Sequence, residues 1–135
     1  MTVQLGDALL LSSRHRDLDP HLWVVASDPA LNADRVLILN LTSWRPGIDQ
    51  SCVIESGEHP LVNHRTCVNY SGARITSAGQ LAAALSMGAL VKKDPVSAEV
   101  MMRIHRGAAV SDELPLGCTD LLRRQGLLPD DEDLG

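Results

Sequence analysis

Four side chains able to bind a metal or move a proton fall within sixteen positions: Cys52, His59, His64 and Cys67. They lie in the segment S-C-V-I-E-S-G-E-H-P-L-V-N-H-R-T-C-V-N-Y, residues 51–70, with the spacing C-x6-H-x4-H-x2-C. Zinc takes four converging sulfur or imidazole ligands, so these residues form a candidate Cys2His2 site. The C-x2-C knuckle that marks many zinc sites is missing. Two other readings stay open. Cys52 could serve as a thiolate nucleophile with His59 as its base. Alternatively, both cysteines are inert strand residues in a core, His59-Pro60 shapes a turn, and His64-Arg65 closes a strand end. Zinc apart, no cofactor is expected.

The elements that must position these residues are mostly strands. Apolar runs predict them at Ala8–Leu11, His21–Ser27, Val36–Thr42, Cys52–Glu55 and Thr66–Tyr70. Asp28-Pro29, Pro46-Gly47 and Ser56–Glu58 supply the turns. Val36–Thr42 is apolar at nearly every position, which suits a strand covered on both faces or bent around a barrel. No helix of any length is signalled before Ile75. From there the pattern changes. Ser77-Ala-Gly-Gln80 reads as a capping box for a helix over Leu81–Met87. Asp94-Pro95 opens a second helix, with Val96, Val100, Met101 and Ile104 as its apolar stripe and Gly107 as its end. A third spans Leu116–Gln125 and stops at Gly126. The expected architecture is mainly β: a small curved barrel over residues 5–70 with two or three C-terminal helices over 77–125, α+β overall. The 135 residues are read as one domain, with a disordered tail over 129–135.

Composition narrows the classes of function. There is no Phe, and Trp23, Trp44 and Tyr70 are the only aromatics, so the core is aliphatic. The net charge is −5, and Asp130–Asp133 carries four of those negatives, leaving residues 1–129 nearly neutral. Tight nonspecific binding to duplex DNA is not expected of such a chain. The longest apolar segment, Leu81–Val91, contains Ser86 and Gly88 and is too short to span a bilayer. Three cysteines with no leader at Met1–Gln4 suggest a reducing, cytoplasmic setting.

The run G-D-A-L-L-L (6–11), then H-L-W-V-V-A-S (21–27), then V-L-I-L-N-L-T-S (36–43) resembles the PemK/MazF-type toxins, chiefly over residues 5–45. The resemblance implies a small SH3-like β-barrel, usually homodimeric. It implies a sequence-selective, metal-independent endoribonuclease acting on single-stranded RNA and neutralised by an antitoxin protein. Thr42 matches the family's catalytic threonine. Where the family places an Arg ahead of the second strand, this chain has Pro20-His21, and Ser12–Asp19 replaces the Gly-rich acidic segment.

Cutting RNA without a metal needs a base, an acid and a cation at the phosphorane. His59, His64 and Arg65 offer that chemistry, with His21 in reserve at the place of the missing Arg. The expectation is that Thr42, His59 and Arg65 line one concave surface. Trp44 at its rim would stack a base, Ser43 would bind substrate, and Arg14 and Arg16 (beside His15) would track phosphates. The alternative is a non-catalytic interaction barrel that has lost the toxin site, with or without a structural zinc.

Overall fold

The computed structural model of the chain describes residues 2–11 and 21–129. Arg14, His15, Arg16 and the acidic tail lie outside the described residues, so the roles expected of them lie there too. Six strands and three helices follow one another along the chain. They are β1 (Ala8–Leu11), β2 (Leu22–Val25), β3 (Val36–Ser43), β4 (Val53–Ile54), β5 (Thr66–Thr76), α1 (Ala78–Ser86), β6 (Leu90–Lys93), α2 (Ala98–Val110) and α3 (Leu116–Arg124). The strands make one antiparallel sheet in the order β4-β5-β3-β2-β1-β6. The sheet curls into a half-barrel, with β4 and β6 as its two edges.

Strand β3 shows why the apolar run is unbroken. Side chains alternate across a sheet. Leu37, Leu39 and Leu41 enter the core inside the curl, beside Leu22, Val24, Val68 and Tyr70. Val36 and Ile38 face the other way, into a smaller core with Leu9, Trp23 and Val25. Each face has its own cover. Helix α2 presents Val100, Met101 and Ile104 to the larger core, and α3 presents Cys118, Leu121 and Leu122. Helix α1 closes the smaller core with Leu81 and Leu85. Burying a side chain such as Ile104, which is 0% exposed, contributes about 1.5–3 kcal/mol.

Tyr70 is the one aromatic in the larger core. Its hydroxyl donates to the Ile104 carbonyl at 2.7 Å. This contact explains Gly107, which was expected to end α2 but lies inside it. A Cβ there would run into the Tyr70 hydroxyl and come within 2.8 Å of the Ser51 carbonyl. Close packing outweighs the poor helix propensity of glycine. Gly72 has a similar reason. It lies within the irregularity of the β3–β5 pairing, between Asn69 and Arg74 on β5, and a Cβ would lie 2.6 Å from Asn69 Nδ2 and 2.9 Å from Asn40 Oδ1.

Other boundaries also differ from the sequence reading. Helix α1 is capped as expected, with Ser77 Oγ accepting from Gln80 N. Helix α2 begins after Ser97, whose Oγ accepts from Val100 N, so Pro95 precedes the helix rather than opening it. Strand β5 runs on to Thr76, and β6 falls between two helices where no strand was expected. β6 forms because β1 offers an open edge, pairing Ala8 with Lys93 through Leu11 with Leu90. Among the described residues no helix is long and apolar enough to cross a membrane.

Candidate functional site

The site is built where β3 ends. Trp44 N donates to the Arg65 carbonyl at 3.0 Å, which draws the loop over residues 55–65 alongside Thr42 and Ser43. Two anchors fasten this loop to the helical half. Arg103 of α2 donates to the Val53 carbonyl at 3.2 Å and pairs with the Glu58 carboxylate. His59 is the second anchor. Leu61 N donates to its Nδ1 at 3.1 Å, so Nε2 carries the proton and donates to the Asp94 carbonyl at 2.6 Å. Helix α2 and the segment leading into it therefore hold the loop that carries His64.

That loop and the sheet end enclose a cleft of about 340 Å³, lined by His21, Thr42, Ser43, Leu61, His64 and Thr66, with Leu22, Leu41 and Val62 as its apolar floor. Ser43 and His64 are exposed. Ser43 Oγ lies 2.7 Å from His64 Nε2. His64 Nδ1 lies 2.7 Å from Asn63 Oδ1. A carbonyl oxygen only accepts, so Nδ1 carries the proton. Nε2 then keeps its lone pair, and the Ser43 hydroxyl donates to it. Thr66 Oγ1 donates to the His64 carbonyl at 3.0 Å, fixing the backbone at that position. The cleft is thus lined by one imidazole with a defined basic nitrogen, a second at His21, and the hydroxyl-bearing residues Thr42, Ser43 and Thr66.

Four expected residues meet there: His21, Thr42, Ser43 and His64. Two do not line it. His59 is only 3% exposed, and both its ring nitrogens are consumed by the backbone, so it is an anchor and not a proton shuttle. Arg65 is turned toward Glu55, with Nε to Oε1 at 2.7 Å and an Nη to Oε2 at 3.2 Å. Its guanidinium sits 5.9 Å from the centroid of the Trp44 ring. Trp44 is 37% exposed and carries this cation on its ring instead of standing clear beside Thr42.

The candidate zinc ligands are dispersed. Cys52 belongs to the core inside the curl. Cys67 pairs with Thr42 and points to the face opposite its neighbour Val68. With His59 committed to the backbone and His64 to Ser43, the four do not converge. Among the described residues no three His, Cys, Asp or Glu side chains stand together as metal ligands. The Cys52–His59 nucleophile reading also fails. Burial pushes the Cys52 thiol up to about 11, and both nitrogens of His59 are already occupied. A thiol so raised is not the reactive thiolate.

On the other side of Thr42 lies a second cleft of about 290 Å³, with Arg45, Asp49, Asn69, Ser71 and Glu113 around it. Asp49 is occupied. Its Oδ1 accepts from Ser51 N at 2.9 Å and Ser51 Oγ at 2.5 Å, and its Oδ2 accepts from Ser111 Oγ at 2.6 Å. Burial works to raise its pKa, but the bonds from Ser111 and Ser51 outweigh this and hold it below the usual range. Glu113 is pushed up, chiefly by its hydrogen bond to Asp49.

No protein-family model matches the chain, and the search of curated proteins finds no match. Function is therefore argued from the cleft itself. One of its determinants, Asn63, was missed in the sequence, as were Asp49 and Glu113 of the second cleft. Asn63 had a signal, since an amide directly before His64 is close enough to fix its tautomer. Asp49-Gln50-Ser51 has the composition of an Asx turn, which would have flagged Asp49 as structural. Nothing local marks Glu113.

Proposed function

We propose that the cleft walled by His21, Thr42, Ser43 and His64 is the functional site of a PemK/MazF-like, toxin-type protein. On this reading the half-barrel is a divergent SH3-like barrel and the activity is metal-independent cleavage of single-stranded RNA. The observation that carries it is that Thr42 shares one cleft with two imidazoles, one of which has its basic nitrogen defined. The Ser43 hydroxyl occupies in the free protein the place that a ribose 2′-hydroxyl takes in the complex. His64 Nε2 accepts the 2′-hydroxyl proton as the oxygen attacks phosphorus. His21 gives a proton to the departing 5′-oxygen. The products are a 2′,3′-cyclic phosphate and a free 5′-hydroxyl. An antitoxin and a second copy of the chain are the partners such a protein would take.

The test is cleavage of a single-stranded RNA in the presence of EDTA. His64→Ala and His21→Ala each lower the rate by about 10²–10⁴-fold, the usual contribution of a general base or acid. A second reading is favoured by one observation: Arg65 is tied to Glu55, and among the described residues no arginine lines the imidazole cleft. It is the non-catalytic barrel, an interaction module on the same fold. RNA left intact by the folded protein selects that reading.

A further inference from the structure

We propose that Ser43 is an activated nucleophile, and that this cleft hydrolyses carboxylic esters with a short apolar acyl group through an acyl-Ser43 intermediate. The proposal shares the cleft of the RNA reading but does not rest on that reading.

Three residues stand in the order nucleophile, base, orienter. Ser43 Oγ is 2.7 Å from His64 Nε2, and His64 Nδ1 is 2.7 Å from Asn63 Oδ1. This is the arrangement by which a neutral hydroxyl becomes a useful nucleophile: the base is within reach, and a third group holds it in the correct tautomer. Comparison with other serines sharpens the point. Ser77 and Ser97 accept from backbone N–H groups as helix caps, and Ser27 Oγ accepts from Leu37 N at 2.8 Å. Ser51 and Ser111 donate to the Asp49 carboxylate. Among the described residues, only Ser43 gives its proton to an imidazole, and it does so at an exposed position facing a cleft. The apolar floor of Leu22, Leu41 and Val62 beside Ser43 suits a short acyl chain. His21, lining the same cleft, is the donor available to the oxyanion.

The steps balance. Ser43 Oγ bonds to the ester carbonyl carbon as its proton passes to His64 Nε2. Collapse of the tetrahedral adduct breaks the bond to the alcohol oxygen, which leaves with that proton. Water then attacks the acyl-serine, with His64 taking and returning one proton. The net change is ester and water to acid and alcohol.

The test uses the full chain and an alkyl fluorophosphonate, a probe in which the serine oxygen displaces fluoride from phosphorus. Mass spectrometry should find one adduct, on Ser43, with Ser111 unmodified. His64→Ala should slow labelling by about 10² or more. Asn63→Ala should slow it by at least about tenfold, with Asn63→Asp restoring the rate because a carboxylate accepts the same N–H. No adduct on Ser43 overturns the proposal. So does an adduct that forms equally fast in His64→Ala, because that is the behaviour of a merely exposed serine. Ser43→Ala should lose turnover of p-nitrophenyl butyrate. A protein that forms the Ser43 adduct but leaves RNA intact overturns the RNA reading alone.

Discussion

The cleft on one side of Thr42 holds two imidazoles and Ser43, and the cleft on the other holds Asp49, Glu113 and Arg45. Their volumes are similar, about 340 and 290 Å³, and both are lined by polar groups. What separates them is how much of that polarity is already consumed. Asp49 accepts three hydrogen bonds, two from the Ser51 turn and one from Ser111 beyond the end of α2. Its charge has become part of the scaffold. His64 is held by Asn63 and meets the hydroxyl of the exposed Ser43 on its reactive side. A substrate can replace that hydroxyl at little cost, whereas replacing the partners of Asp49 would undo a turn. Ionisable residues near a cleft are therefore poor evidence of function until their bonds are counted.

The sharpest break of this comparison is a pair of substitutions, one in each cleft. His64→Ala should reduce RNA cleavage at least about 100-fold with an unchanged melting temperature. Glu113→Gln should leave cleavage as it is. A rate that follows Glu113 and ignores His64 would move the chemistry across Thr42 to the carboxylate side.

Next in size is His59→Ala, which tests whether the loop must be anchored. It leaves the Asp94 carbonyl and the Leu61 N–H without partners in a buried place and opens a hole. The expected cost is about 2–4 kcal/mol, a loss of several degrees in Tm. Cleavage should fall with it as His64 loosens, and His59→Gln should recover part of both. An unchanged Tm would show that Arg103 alone fixes the loop.

Asp49→Ala should be milder. It removes three hydrogen bonds at a partly solvated position, a net loss of about 1 kcal/mol in thermal stability. Cleavage should persist. Lost cleavage in a protein that still melts normally would give the carboxylate cleft a chemical role.

The smallest effect concerns a third imidazole, one with no access to substrate. His105 is buried on α2, with Nε2 donating to the Ala26 carbonyl at 2.8 Å. Burial holds its pKa below the ordinary 6.5, and the bond to Ala26 opposes that only in part. The unfolded chain therefore takes up this proton more readily than the folded one. Its contribution is complete above about pH 6.5 and shrinks as pH falls below that value, by at most about 1.4 kcal/mol per unit. Tm measured from pH 8 down to pH 5 should drop on the acid side. His105→Gln should flatten that slope.

Local patterns were enough for much of the fold. The alternating and continuous apolar runs located β1, β2 and β3, and Ser77 announced α1 through its cap, because these signals depend on neighbours a few residues away. Strand β6 was not legible. Leu90–Lys93 is four residues long, and it is a strand only because β1 has an unpaired edge. Gly107 was misread for the same kind of reason. Its place inside α2 depends on the ring of Tyr70, far away in the chain. The strand end that carries Thr42 and Ser43 was legible from the same apolar run, whereas Thr42 itself was singled out only by the family resemblance.

His59 and His64 could not be told apart that way. They are five positions apart on one loop, with the same side chain and the same nominal chemistry. Sequence placed both near the end of β3. Tertiary structure chose between them by bringing the Asp94 carbonyl, 35 residues further on, against His59 and leaving His64 beside Ser43. An imidazole has two nitrogens and few ways to satisfy them. Whichever histidine meets a buried carbonyl becomes scaffold, and the one left at the surface keeps a lone pair for chemistry.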